Sequence, residues 1–129
     1  VQSNLVDFSD FLPTLCEIAG AQSFDEDRII DGRSFLGELH GHSSIPRKYV
    51  YCWYNRDMVQ GKTKVTARTK RYKLYKTGEF YDLENDSLEK TPMNKSSLNL
   101  KETEILEKLR NVLDHYEQFD SLVKIDNIN

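Results

Sequence analysis

The chain has 129 residues, 38% of them hydrophobic and 30% charged, with a formal net charge of −3. That length suits one ordinary domain, or a small domain with a flanking arm, and excludes a two-domain enzyme within these residues. One Trp, seven Tyr and six Phe argue against disorder despite the polar composition.

The near-balance of charge hides a segregation. Residues 56–76 carry eight Lys or Arg and the single acid Asp57, whereas residues 79–89 carry five acids and no base, so one face is expected to be basic. Two cysteines, Cys16 and Cys52, allow at most one disulfide and match no metal-site spacing; both are expected to be buried thiols. There is no run of about eighteen apolar residues and no leader pattern, so this segment is expected neither to span a membrane nor to carry its own address.

In chain order, Phe8, Phe11, Leu12, Leu15, Ile18 and Ala19 fall on one helical face, with Ser9 or Asp10 as cap, Pro13 in the first turn and Gly20 as the stop. The apolar face is wide for so short a helix and predicts burial against something larger than this chain. Residues 21–33 read as loop, with the acidic cluster Asp25-Glu26-Asp27 as a solvated turn rather than a calcium loop, which needs more oxygen ligands. Ser34 can cap a short helix over 35–39, and His40-Gly41-His42-Ser43 is a polar link without enough ligands for zinc.

Residues 48–54, KYVYCWY, are the most β-prone stretch and predict a first strand with Trp53 or Cys52 in the core. Residues 55–62 are then a hairpin loop. Alternation over 64–70 predicts a second strand, and Thr77-Gly78 a tight turn between strands at 72–76 and 79–83. Asp82, Asn85, Asp86 and Ser87 end the meander by bonding their own backbone. Asn99 with Glu102 reads as a capping box, followed by a stripe of Ile105, Leu109, Val112, Leu113, Tyr116 and Phe119; this predicts a helix over 99–119 lying on the sheet. The expected fold is thus α+β: an antiparallel sheet of about four strands with a C-terminal helix on one face, preceded by a helix-and-loop arm, with domains at 1–47 and 48–129.

The order of these pieces carries a resemblance. Arg68-Thr69, Arg71-Tyr72-Lys73-Leu74, Gly78-Glu79-Phe80-Tyr81-Asp82-Leu83, then Asp86 and Glu89 resemble the C-terminal subdomain of sulfatases, the formylglycine-dependent sulfuric ester hydrolases of the arylsulfatase type. Asp7, Asp10-Phe11-Leu12-Pro13-Thr14-Leu15 and Asp31-Gly32-Arg33-Ser34-Phe35 resemble the helix and loop preceding that subdomain. The resemblance implies a parent enzyme that hydrolyses a sulfate ester with Ca2+ and a formylglycine residue, acts on a sulfated small molecule or glycan, and is exported. It also implies that this segment has neither catalytic nor metal-binding residues and is inactive alone.

Cys52 and Arg56 share the outer spacing of the formylglycine motif, but Tyr54 stands where its proline belongs, so Cys52 is expected to be a decoy. Asn55, Arg56, Arg68 and Lys70 are the candidates to line one wall of the substrate cleft, because cationic side chains suit anionic sugars. The alternative is a non-catalytic module in which the basic strands of 56–76, with Trp53, Tyr54, Tyr72 and Tyr75 interleaved, bind glycans or stack single-stranded nucleic acid; the sequence pI of about 5.6 argues against nucleic acid. The expected partner is the catalytic domain of the parent, with self-association when the segment is isolated.

Overall fold

The computed structural model describes residues 3–21, 30–42, 45–56 and 62–126, with side chains of the last helix through Gln118. The chain divides into two units, Val1–Lys48 and Tyr49–Asn129. The acidic cluster at 25–27, Ser43, Gly61 and the Phe119 side chain lie outside the described residues.

In the first unit a single 3-10 turn, Phe8–Asp10, leads into α1, Phe11–Ile18. Asp7 caps the 3-10 turn, its carboxylate accepting from Ser9 N–H at 2.9 Å while Asp7 N–H donates to Asp10 at 2.8 Å; Asp10 holds the N-cap position of α1 as expected, but without a side-chain capping bond. Asp10 is instead buried, 2% exposed. Its carboxylate accepts from Arg33 N–H and from Arg47 Nε, both at 2.9 Å, and pairs with Arg47 Nη2. Burial alone would push the Asp10 carboxyl up, but the hydrogen bonds from Arg47 and from the Asp7 and Arg33 backbones hold it below its ordinary value.

The helix ends as expected at Gly20, with φ +67°. Gly32 lies so close to the turn before α1 that a Cβ there would stand 1.9 Å from Ser9 O; it is needed for close approach, not merely for a bend. Phe35 N–H donates to Thr14 Oγ1 and Leu36 N–H to Ser34 Oγ, each at 3.1 Å, which starts α2, Leu36–Leu39. The expected apolar stripe is present and outward: Phe8 is 89% and Leu15 60% exposed, and Phe11, Leu12 and Ile18 are also exposed.

The second unit is an antiparallel meander, β1 Val50–Tyr54, β2 Lys64–Arg68, β3 Tyr72–Tyr75 and β4 Phe80–Asp82, in the order β1-β2-β3-β4. Register places Tyr51 opposite Ala67, Ala67 opposite Leu74 and Leu74 opposite Phe80. This row meets α3, Leu100–Asp126, through Leu106, Leu109 and Leu113, forming the core with Tyr72. Asn99 and Glu102 close the capping box at 2.9 Å in both directions. The observed architecture is the expected α+β fold, and the strands differ from the sequence expectation only in their end residues.

Two expectations fail together. Cys52 is exposed and Cys16 half-buried, both as free thiols, and Trp53 is half exposed. The reason is that β1 is an edge strand whose core contact comes from Tyr51, stacked on Tyr116 with ring centroids 4.2 Å apart. The period of two then turns Cys52 to the opposite face and leaves Trp53 at the outer end of the edge.

Candidate functional site

Alternation gives the sheet a second face, opposite α3, carrying Cys52, Tyr54, Lys64, Thr66, Arg68, Lys73, Tyr75 and Tyr81. On it lies an open groove of about 1080 Å³ whose lining includes Tyr54, Arg56, Lys62, Lys64, Tyr75 and Tyr81. The groove sits where the end of β1 and the start of β2 lie beside the β3–β4 turn. Gly78, with φ +107°, makes that turn tight enough to form its rim.

The groove floor is held by a three-residue clamp. Glu89 accepts from Lys73 Nζ at 2.7 Å and from the Tyr75 hydroxyl at 2.5 Å, while Lys73 Nζ also donates to the Tyr75 oxygen at 3.1 Å. Glu89 adopts φ +54°, a left-handed conformation that costs a non-glycine residue and persists where its surroundings fix it. Burial works against the Glu89 carboxylate, but hydrogen bonds from Lys73 and Tyr75 hold its pKa below the ordinary value. Burial likewise opposes the Lys73 charge, and the bonds to Glu89 and Tyr75 reverse that and raise its pKa. The Tyr75 hydroxyl is pushed up by burial and by the neighbouring carboxylate.

At the other end of the sheet, Arg71 makes a fork on Asp82, Nε at 2.9 Å and Nη2 at 2.6 Å. Asp82 also accepts from Glu84 N–H at 3.1 Å and Asn85 Nδ2 at 2.7 Å, so it ends β4 as the sequence predicts. The Arg71 fork holds the Asp82 carboxyl below the usual range.

The four sequence candidates divide between these ends. Asn55 Nδ2 donates to Thr63 Oγ1 at 3.0 Å, bracing the groove mouth, and Arg56 lines the groove. Arg68 folds over the β2–β3 turn, donating to the carbonyls of Thr69 at 3.1 Å and Lys70 at 3.3 Å. Lys70 is exposed on that turn, whereas Arg68 stands in the cross-strand row of Lys73 and Tyr81 and its charge helps to lower the Glu89 pKa; neither Arg68 nor Lys70 lines the groove itself. Lys62, Lys64 and Tyr81 also line the groove. None of the three is among the four sequence candidates; the signal that points to Lys64 is the alternation that puts it on one face with Tyr54.

The aromatic residues interleaved with the basic ones do not form one surface. Tyr72 is buried and stacked on Phe80, Trp53 shares the face of Tyr51, and only Tyr54 and Tyr75 of that set face the groove. Among the described residues no cluster of three or more His, Cys, Asp or Glu is placed to hold a metal ion, and no helix is long and apolar enough to cross a membrane.

No protein-family model and no curated protein matches the chain. Among solved structures, it is similar to BT4656 in complex with its substrate D-glucosamine-2-N,6-O-disulfate, with a TM-score of 0.65 and 23% identity over 84% of this chain and 24% of that chain. The likeness is one of fold, and the chain spans about a quarter of the length of that protein.

Proposed function

We propose that this chain is the C-terminal portion of an arylsulfatase-like enzyme and that it completes one wall of the parent's cleft for a sulfated sugar. The observation that carries this is the fold shared with a protein solved on a disulfated glucosamine substrate, joined to a groove edged by Arg56, Lys62 and Lys64. Cations of this kind suit sulfate through charge-assisted hydrogen bonds. Asn55 and Arg56 serve this wall at the groove; Arg68 and Lys70 would serve it only where the cleft continues along β2.

The described residues do not fit the parent's Ca2+ or formylglycine. They lack a metal-binding cluster, and Cys52 sits exposed on an edge strand with Tyr54 in the place of the motif's proline. Hydrolysis, Ca2+ and the formylglycine are therefore assigned to the remainder of the parent, together with export. The apolar face of α1 is assigned to docking on that remainder.

The alternative, a non-catalytic glycan-binding module, draws on the same groove. Single-stranded nucleic acid is disfavoured because the aromatic residues are split between two faces. The test is turnover of an aryl sulfate by the full natural protein and by this chain alone. The parent should hydrolyse it with a Ca2+ requirement and retain its rate within a few-fold on Cys52→Ser; the isolated chain should do neither. A folded, inactive parent would refute the proposal.

A further inference from the structure

We infer that the end of α2 carries a transition-metal site, in which the imidazoles of His40 and His42 together bind one Cu2+, Ni2+ or Zn2+ ion and water fills its remaining positions. The sequence expectation counts ligands for a closed zinc site, which needs four. An open site of two histidines needs only that both rings reach one ion, and it stands apart from the proposed function.

The backbone places the pair. His40 is the C-cap of α2, and three hydrogen bonds fold the chain back over the last turn. His40 N–H donates to Leu36 O and Gly41 N–H to Glu38 O, each at 3.1 Å, and His42 N–H donates to Gly37 O at 2.8 Å. Gly41, at φ +77°, is the left-handed residue that this helix ending requires. The two histidines therefore flank a hydrogen-bonded turn rather than a loose link. Their rings lie beside one another, with centroids 6.1 Å apart and planes tilted by 30°.

That distance suits a shared ion. With metal–nitrogen bonds of about 2.0–2.1 Å, two imidazoles on one ion hold their centroids about 4.5 Å apart at neighbouring positions and about 6.4 Å apart at opposite ones. The observed separation lies between these limits, and both residues are exposed, so their rings can rotate to aim one nitrogen each at the ion. Among the described residues no hydrogen bond or ion pair engages either imidazole, so binding breaks no bond already made.

Ligand type selects the class of ion. Neutral imidazole suits Cu, Ni and Zn, with Cu2+ the tightest of the divalent series, whereas Ca2+ and Mg2+ take oxygen ligands. Once one histidine has bound, the turn presents the second at high effective concentration. The pair should therefore outbind the single His115, which sits edge-on to Tyr116 with centroids 5.3 Å apart, by about tenfold or more.

The test is NMR of the imidazole protons during titration with Cu2+, in the chain with Cys16 and Cys52, both free thiols, replaced by serine so that no thiol competes. Substoichiometric Cu2+ should broaden the ring signals of His40 and His42 together and leave those of His115 sharp. In calorimetric titration with Ni2+, His40→Ala and His42→Ala should each weaken binding about tenfold or more, and His115→Ala should leave it unchanged. Excess Ca2+ or Mg2+ should not displace the Ni2+. The substituted positions are exposed, and amide spectra matching the unsubstituted chain show that lost binding reports the ligands rather than the fold. Broadening of His115 equal to that of the pair, an affinity unmoved by His40→Ala or by His42→Ala, or displacement of Ni2+ by Ca2+ would overturn the inference.

Discussion

Replacing Asp10 by alanine should destabilise the first unit by about 3–5 kcal/mol, the usual cost of removing one member of a buried ion pair. The structure supports the upper part of that range. Asp10 is 2% exposed, the Arg47 side chain is 11% exposed, and the carboxylate is the acceptor for two backbone donors, Asp7 N–H and Arg33 N–H, besides the guanidinium. Without it Arg47 is left as a charge largely removed from water, and both amides lose their acceptor, each at a cost of about 1–3 kcal/mol.

The double variant Asp10→Leu/Arg47→Met should recover part of the loss, because it removes the orphaned charge, but not all, because the two amides remain without a partner. Trp53 lies in the second unit, so its fluorescence is the wrong probe. Amide hydrogen exchange at Asp7, Arg33 and Phe35 reads the local opening free energy directly. A loss under about 1 kcal/mol, the scale of an exposed pair, would show that Asp10 is not the knot of this unit.

Three further outcomes are expected. Cys52 should react with a thiol reagent in the native protein at a rate close to that of an exposed thiol and well ahead of Cys16; protection of Cys52 would contradict its place on the open face of the edge strand. Glu89 has a depressed pKa when folded, so its contribution is present above its ordinary value of 4.5 and is lost as pH falls through the lower, folded value. Glu89→Gln should therefore flatten the acid limb of the stability–pH curve below about pH 4.5, and an unchanged acid limb would sink that account. With Phe8, Leu12 and Leu15 exposed, the isolated chain should self-associate in a light-scattering concentration series; Leu12→Asp/Leu15→Asp should reduce its mass, and a monomer unaffected by those changes would show that α1 is not a docking surface.

The second unit was legible because its sequence signals agree at every level. Alternation at 64–68, Thr77-Gly78 as the turn, Asp82 as the strand stop and the Asn99–Glu102 box each appear where the residues predict them. What failed was orientation. VYCWY is apolar on both faces, so composition does not say which parity points inward; the pairing of Tyr51 with Ala67 and its stacking on Tyr116 decide it.

The clamp of Lys73, Tyr75 and Glu89, and the knot at Asp10, were not legible for a different reason. Glu89 reaches Lys73 across 16 residues and Asp10 reaches Arg47 across 37, and neither separation leaves a local pattern. Acids near a helix start also read first as caps; Asp10 does hold the N-cap position of α1, but its carboxylate is engaged by Arg47 and the Arg33 amide while Asp7 makes the side-chain capping bond. The groove was half legible: the basic excess of 56–76 was evident, but only the structure separates Arg56, Lys62 and Lys64, which line the groove, from Arg68, which folds onto the carbonyls of the β2–β3 turn, and from Lys70.

The most direct test is release of sulfate from D-glucosamine-2-N,6-O-disulfate by the full natural protein that carries this segment, followed by ion chromatography with and without a calcium chelator. The account predicts sulfate release that the chelator suppresses and that falls when Arg56 and Lys64 are replaced by alanine. A folded protein that releases no sulfate from this sugar or from an aryl sulfate would contradict it.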